Sequence, residues 1–226
     1  MIALNKLATP DVLAQNAAVW RAELLAVIAS GEVPTQTQKG RYNHADVKTR
    51  LIEETRGKCA YCESKVRHVD DGDIEHIVPK SVHPELSFVW ENLTLACTIC
   101  NRKKGDHDAP LGDPLCLINP YQDDPRVHFL FHREILTPTP ESIRGSNTEN
   151  ILDLNRSELR ERRREKIEEL HQYVTAYAQS EEDYKPLVAR QIRRQCVGAD
   201  KEYSAFLEQY ISEMIVRGTL PENILG

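Results

Sequence analysis

The chain has 226 residues, 40% hydrophobic and 28% charged, which suits one domain or two small ones with a buried core. Its 29 basic residues face 35 acidic ones, a net charge of −6 that argues against a free-standing nucleic-acid binder, whose footprint is basic. No run reads as long and apolar enough to cross a bilayer, and the first residues lack the pattern of a signal peptide; the expectation is a cytoplasmic protein with no membrane partner.

In chain order, residues 1–55 read as an N-terminal helical segment. Val12, Leu13, Val19, Trp20, Leu24, Leu25 and Ile28 recur at helical spacing from Pro10 to Ile28, and Ser30, Gly31 and Pro34 stop that helix. Residues 31–40 are polar and read as a loop, and a second helix is expected from His44 to Thr55, with Val47, Leu51 and Ile52 on one face.

Residues 56–108 form the stretch richest in chemistry. Cys59 and Cys62 make a tight knuckle, followed by a short strand or turn around Lys65–Val69 and a polar turn over Asp70–Asp73. A strand is expected at Ile74–Val78, ended by Pro79; an irregular stretch over Ser81–Trp90; a second strand at Leu93–Ala96; and a short helix over Thr98–Lys104 with Asn101 in its first turn. Residues 109–145 are proline-rich and read as a connector, with one strand at Val127–Phe131 and Glu134–Leu136 pairing back on it. Residues 146–226 read as helical: Asn155 and Glu158 suggest a capping box before a helix carrying Leu159, Ile167, Leu170, Val174 and Tyr177, and two more helices follow over Tyr184–Cys196 and Lys201–Val216. The expected class is therefore α+β, mainly helical.

Four of the six cysteines fall in two Cys-x-x-Cys pairs, Cys59/Cys62 and Cys97/Cys100. With no export signal, such pairs are metal ligands more often than disulfides, and two knuckles supply the four thiolates of a structural zinc site. A redox pair would follow a strand in a thioredoxin-like pattern, which is missing before Cys59. Cys116 and Cys196 stand alone and read as small buried hydrophobes.

Between the knuckles lie Glu75 and His76. A single histidine beside a carboxylate is more often a satisfied structural residue than a catalyst, but this one sits on a short strand inside the clamp. Phosphodiester hydrolysis needs a base for water, a task suited to His near neutral pH, and a divalent cation for the charge on phosphate and leaving oxygen. Magnesium takes oxygen ligands and keeps several waters, so Glu75 and the amide oxygen of Asn101 would be enough protein to hold it.

The pattern C-x-x-C, E-H-I-V-P, N-L-T-L-A-C-x-x-C-N-x-x-K resembles the HNH endonucleases, whose zinc-stapled ββα-metal core has the element order read above. The resemblance implies His76 as general base, Glu75 as acidic metal ligand, Asn92 as the residue that steadies the loop orienting the histidine, and Asn101 as a second ligand of a catalytic Mg2+ or Mn2+. Lys104, and with it Lys103, would lie near substrate phosphate. Glu75 stands where Asp is commoner and Asn101 where many members have His; both still offer oxygen to a hard cation. The flanking Arg41-Tyr42-Asn43-His44, the segment from Ile118 to Pro125, and Leu154-Asn155-Arg156 are similar to HNH proteins of bacterial anti-phage operons of the Septu type. That resemblance implies cleavage of invading DNA together with an ABC-type ATPase, PtuA, which would also account for the acidity of this chain if the ATPase supplies the duplex-binding surface.

Arg102-Lys103-Lys104 fits a phosphate contact and equally a solvated helix end favoured by the helix dipole. Arg160, Arg162, Arg163, Arg164 and Lys166 are interleaved with glutamates at three- and four-residue spacing, which reads as a salt-bridged solvent face; a docking platform on the C-terminal helices stays open. The other histidines are read as structural, with His83 and His107 weak candidates for substrate contact. Two rivals remain at this level: a non-catalytic zinc-binding adaptor, and a nuclease directed at RNA, since the core motif does not distinguish the sugars.

Overall fold

The computed structural model of the protein describes residues 1–66, 72–110 and 113–225. The first helix, α1 (Asp11–Ala29), starts directly after Pro10 and buries Leu13 and Leu24. Contrary to the sequence reading, α1 is long and apolar enough by length and composition to cross a membrane, with a mean hydropathy of 1.3. Its scattered alanines raise that average without a continuous apolar run. Arg21 and Glu23 sit in its second half, where charge is costly in hydrocarbon, and Leu13 and Leu24 belong to the protein core.

The expected loop over 31–40 contains one helical turn, α2 (Gln36–Gly40). Its cause is a capping box: Gln38 N donates to Thr35 Oγ1 at 3.2 Å, and Thr35 N donates to Gln38 Oε1 at 2.8 Å. Helix α3 (Ala45–Thr55) follows, capped where Asp46 N donates to His44 Nδ1, with Val47 and Leu51 fully buried. It ends at Arg56 and Gly57, both left-handed, and the chain turns into the first knuckle.

Strands β1 (Asp73–His76) and β2 (Leu93–Ala96) pair antiparallel, with Glu75 opposite Thr94 and His76 opposite Leu93. Single 3-10 turns at Pro84–Leu86 and Trp90–Asn92 shape the connection between them, and α4 (Thr98–Lys104) follows at once and packs on β1. This is the ββα unit expected from the sequence. Helix α3 packs on β2 from elsewhere in the chain. Gly72 enters β1 at φ +67°, and a Cβ there would lie 2.7 Å from Val66 Cγ1 and 3.1 Å from Leu95 Cδ1, so this entry requires glycine. The strand or turn expected at Lys65–Val69 and the turn at Asp70–Asp71 fall largely outside the described residues.

In the connector, α5 (Pro125–His128) occupies the start of the expected strand, because Arg126 N donates to Asp124 Oδ1 and Pro125 sits in its first turn. β3 (Phe129–His132) and β4 (Ile135–Pro138) then form a hairpin with Phe129 and Phe131 turned into the core. Helix α6 (Ile143–Leu152) has too few apolar residues on one face to stand out by periodicity; it is started by Ser142 Oγ, which accepts from Gly145 N. The long α7 (Ser157–Gln179) packs against α8 (Lys185–Cys196) and α9 (Ser204–Val216), and α9 lies on β3.

Two sequence expectations are corrected here. Asn155 caps no helix: it accepts from Leu136 N at 3.0 Å and donates to Leu136 O at 2.7 Å, joining β4 to the start of α7, whose N-cap is Arg156. The charged face of α7 holds exposed pairs, Arg162–Glu165 at 2.8 Å and Lys166–Glu169 at 2.9 Å, but Arg163 is only 1% exposed. Its guanidinium lies 4.3 Å from the Phe206 ring centroid and donates to Glu134 O, and burial lowers its pKa to about 10.

A buried polar knot ties the cysteine-rich core to the C-terminal helices. Glu63, itself left-handed at φ 65°, accepts from the Met1 ammonium at 2.7 Å, from Lys58 Nζ at 3.3 Å and from Ser204 Oγ at 2.8 Å. Lys58 Nζ also donates to Lys201 O at 2.9 Å, and the hydroxyls of Ser64 and Tyr203 meet at 2.8 Å. Burial alone would raise the Glu63 pKa, but the ammonium and Lys58 hold it down to about 2. Glu63→Gln leaves buried cations without a counter-charge and is expected to cost about 3–5 kcal/mol. Urea melts at pH 7.5 followed by circular dichroism measure this; a loss under about 1 kcal/mol would contradict the role given to the knot.

Candidate functional site

The four thiols converge. The Sγ atoms of Cys59, Cys62, Cys97 and Cys100 all lie within 4.8 Å of one another, and Cys62 Sγ and Cys97 Sγ are 3.9 Å apart. A zinc tetrahedron with Zn–S of about 2.3 Å has S–S edges of about 3.8 Å, so the spacing fits that ion. All four are free thiols rather than disulfides. The backbone builds this arrangement locally. Cys59 N donates to Ser64 O and Glu63 N to Cys59 O, closing the first knuckle, and Ala60 N donates to Leu95 O, fastening it to β2. The second knuckle is the start of α4, where Cys100 N donates to Cys97 Sγ.

Such crowded sulfurs do not ionise together unaided. Hydrogen bonding from neighbouring thiols, Cys100 first, holds Cys62 well below the ordinary thiol value, while burial pushes Cys59 well above it. A bound dication removes that conflict. Arg156 Nη2, donating to Cys100 Sγ at 3.7 Å, adds positive charge beside the sulfurs.

Next to the cluster, β1 and α4 bring together the residues singled out in the sequence. His76 is 5% exposed at the end of β1, and its Nε2 lies 3.0 Å from Ser87 O. A carbonyl only accepts, so Nε2 carries the proton and Nδ1 keeps its lone pair. Burial, with smaller effects of Lys80 and Lys104, lowers its pKa to about 4. The imidazole is therefore neutral at pH 7 and able to accept a proton at Nδ1.

Asn92 holds the loop behind it: Val78 N donates to Asn92 Oδ1 at 2.8 Å, and Asn92 Nδ2 donates to Val78 O at 2.9 Å and Leu86 O at 3.3 Å. Those bonds join both ends of the segment after β1, which also contains Ser87. Asn101 Nδ2 donates to Asp73 Oδ2 at 2.9 Å, which leaves its Oδ1 as the atom available to a cation. Glu75 is 6% exposed and paired with Lys104 Nζ at 2.8 Å; burial raises its pKa while Lys104 opposes that rise. One carboxylate and one amide oxygen fit a hard cation that keeps its own waters. Among the described residues, only the cysteines form a converging group of three or more ionisable metal ligands.

The lysines sit differently from what a free phosphate contact requires. Lys104 is 3% exposed and committed to Glu75, and Lys103 pairs with Asp153 at 2.9 Å. His83 and His107 both line a cleft of about 370 Å³ that also reaches Asn92, Lys104 and Tyr61, whose buried hydroxyl has no hydrogen-bond partner among the described residues. The exposed His83 lies between Glu85 and Asp108, whose hydrogen bonds, Glu85 first, raise its pKa. Of the lone cysteines, Cys196 is buried as expected and Cys116 is half-buried on the wall of that cleft.

Three residues went unassigned in the sequence. Asp73, at the start of β1, was read only as part of a turn. Ser87 contributes a carbonyl, which leaves no mark in sequence. Tyr42 stood inside the flanking Arg41-Tyr42-Asn43-His44 motif; its ring meets the His76 ring edge-on, with centroids 4.5 Å apart and planes at 87°.

Comparison with known proteins agrees with this geometry. Residues 59–107 match the family model described as HNH endonuclease, so the chain carries an HNH endonuclease domain. It is similar to the Septu protein PtuB of Bacillus thuringiensis, 34% identical over 110 residues covering 48% of this chain and 41% of that protein. It is also similar to the Septu protein PtuB of Bacillus mycoides (strain KBAB4), 29% identical over 150 residues covering 54% and 51% of the respective chains. The chain thus spans about half the length of the curated relatives it matches, or less.

The imidazole geometry is open to direct measurement. Long-range proton–nitrogen correlation spectra should show His76 as the neutral Nε2–H tautomer down to about pH 5, below which it charges, because its folded pKa lies near about 4. Titration near the unperturbed value of about 6.5 would contradict the effect given to burial, and the opposite tautomer would remove the Nδ1 acceptor.

Proposed function

We propose that the protein is a metal-dependent endonuclease that hydrolyses DNA phosphodiester bonds, acting in anti-phage defence beside an ABC-type ATPase of the PtuA kind. The observation that carries this reading is the buried His76, whose Nε2 lies 3.0 Å from Ser87 O so that Nδ1 keeps its lone pair, in the ββα unit that also positions Glu75 and Asn101.

In this reading His76 Nδ1 takes a proton from the attacking water while Ser87 O, accepting from Nε2–H, fixes the ring and supports the positive charge that forms. Asn92 keeps Ser87 and the loop in place. Glu75 and Asn101 Oδ1 would hold Mg2+ or Mn2+, which when bound neutralises charge on phosphate and leaving oxygen. Lys104 holds Glu75 in the absence of other cations, and Asp73 fixes which end of the Asn101 amide faces outward. The zinc cluster takes no part in the chemistry and holds the unit in shape.

The Septu naming of the relatives supports the defence role and, with it, a PtuA-type partner. A net charge of −6 goes with that partner supplying the duplex-binding surface. Free thiols in a zinc site go with a reducing, cytoplasmic location.

The test is cleavage of a labelled duplex by zinc-loaded protein with its ATPase partner, in Mg2+ and then Mn2+, for wild type and His76→Ala. Removing the base should lower the rate by about 10²–10⁴. Circular dichroism and zinc content show whether the variant is folded. A folded variant that cuts at the wild-type rate would overturn the assignment. Wild type that cuts no nucleic acid in any divalent cation would make the chain an adaptor, and cleavage of RNA alone would replace the substrate.

A further inference from the structure

Phosphate in a nuclease site needs a cation that is not already neutralised. Lys103 and Lys104, the two nearest in the motif, are each held by a carboxylate. Four residues beyond His76 stands Lys80. Among the described residues it has no ion-pair partner, and its Nζ donates to the Tyr42 hydroxyl and lies 4.1 Å from the Tyr42 ring centroid. The turn that follows β1 sets its place: Val82 N and His83 N both donate to Pro79 O, so Lys80 projects four residues beyond His76.

Tyr42 and Lys80 are half-buried where His76 is buried, and Tyr42 touches the imidazole edge-on at 4.5 Å. The charge of Lys80 is felt at both His76 and Glu75. A hydroxyl and an aromatic face are weak partners for an ammonium, and a phosphate oxygen displaces both readily. The same tyrosine thus holds the ammonium beside the base and leaves it free to exchange.

We propose that Lys80, held in place by Tyr42, is the ligand of the substrate phosphate at His76, in place of the ion-paired Lys103 and Lys104. This rests on the nuclease reading for its meaning, and it gives the flanking Arg41-Tyr42-Asn43-His44 motif a task. The N-terminal segment then completes the site by delivering Tyr42 to the HNH domain.

The experiment measures fluorescence anisotropy of a labelled short duplex with the full chain in complex with its ATPase partner, in Ca2+ to slow cleavage, over a series of salt concentrations. Losing one phosphate contact should reduce the slope of log affinity against log salt by about 0.9 in Lys80→Gln, whereas Lys80→Arg keeps the wild-type slope. Tyr42→Phe, which retains the ring and loses the hydroxyl, should weaken binding without changing the slope. In Mg2+ with the partner, Lys80→Gln should raise KM on the order of tenfold with a smaller change in kcat.

An unchanged slope in Lys80→Gln overturns the proposal, even with cleavage intact, as does wild-type binding that shows no salt dependence or no binding at all. If wild type cuts nothing in any divalent cation and Lys80→Gln still loses slope, the phosphate site stands and the nuclease reading falls.

Discussion

Everything in the candidate site depends on four sulfur atoms being held within 4.8 Å of one another. Two of them come from a knuckle bonded to β2, and two from the first turn of α4. Drawing them around one ion fixes where α4 starts relative to the hairpin, and therefore where Asn101 and Lys104 stand against Asp73 and Glu75. A hairpin of four-residue strands and a seven-residue helix could not hold such placement unaided, since both lie below the lengths that are stable alone. The cysteine cluster and the Glu63 knot act in sequence: one shapes the ββα unit, the other attaches it to the C-terminal helices.

The second constraint is electrical. Burial works against both ionised Glu75 and charged His76. Glu75 answers with Lys104, and His76 stays neutral, so its Nδ1 is a resting acceptor rather than a charge. A bound cation and a phosphate would bring opposite charges into the same space. On the proposed reading Glu75 would gain the cation while Lys80 meets the phosphate, with His76 held by Ser87.

How much of this was legible beforehand varies with the physical signal. The cysteine spacing, the β2 strand and α4 could be read because ligand spacing and short apolar runs are local features. Glu75, His76, Asn92 and Asn101 could be chosen by motif, but not their partners. That Lys104 is bound to Glu75 and Lys103 to Asp153 depends on how α4 packs, and no spacing rule contains it. Asn155 carried a capping signature and serves β4 instead, because the strand edge competes for the same amide. Arg163 looked like one more member of a charged face; the Phe206 ring, far along the chain, decides otherwise. Helix α6 has little amphipathic pattern, so periodicity alone does not reveal it. Tyr42 was visible as a motif residue and became a neighbour of His76 only through tertiary contact.

The central claim is that two metal sites with separate tasks lie side by side, one of sulfur for shape and one of oxygen for hydrolysis. Anomalous diffraction at the zinc and manganese edges, from a crystal of the full chain grown with both ions, tests it in one experiment. The account predicts a zinc peak among Cys59, Cys62, Cys97 and Cys100, and a distinct manganese peak between Glu75 and Asn101. Manganese bound at the cysteines, or absent from Glu75 and Asn101 at saturating concentration, would contradict it.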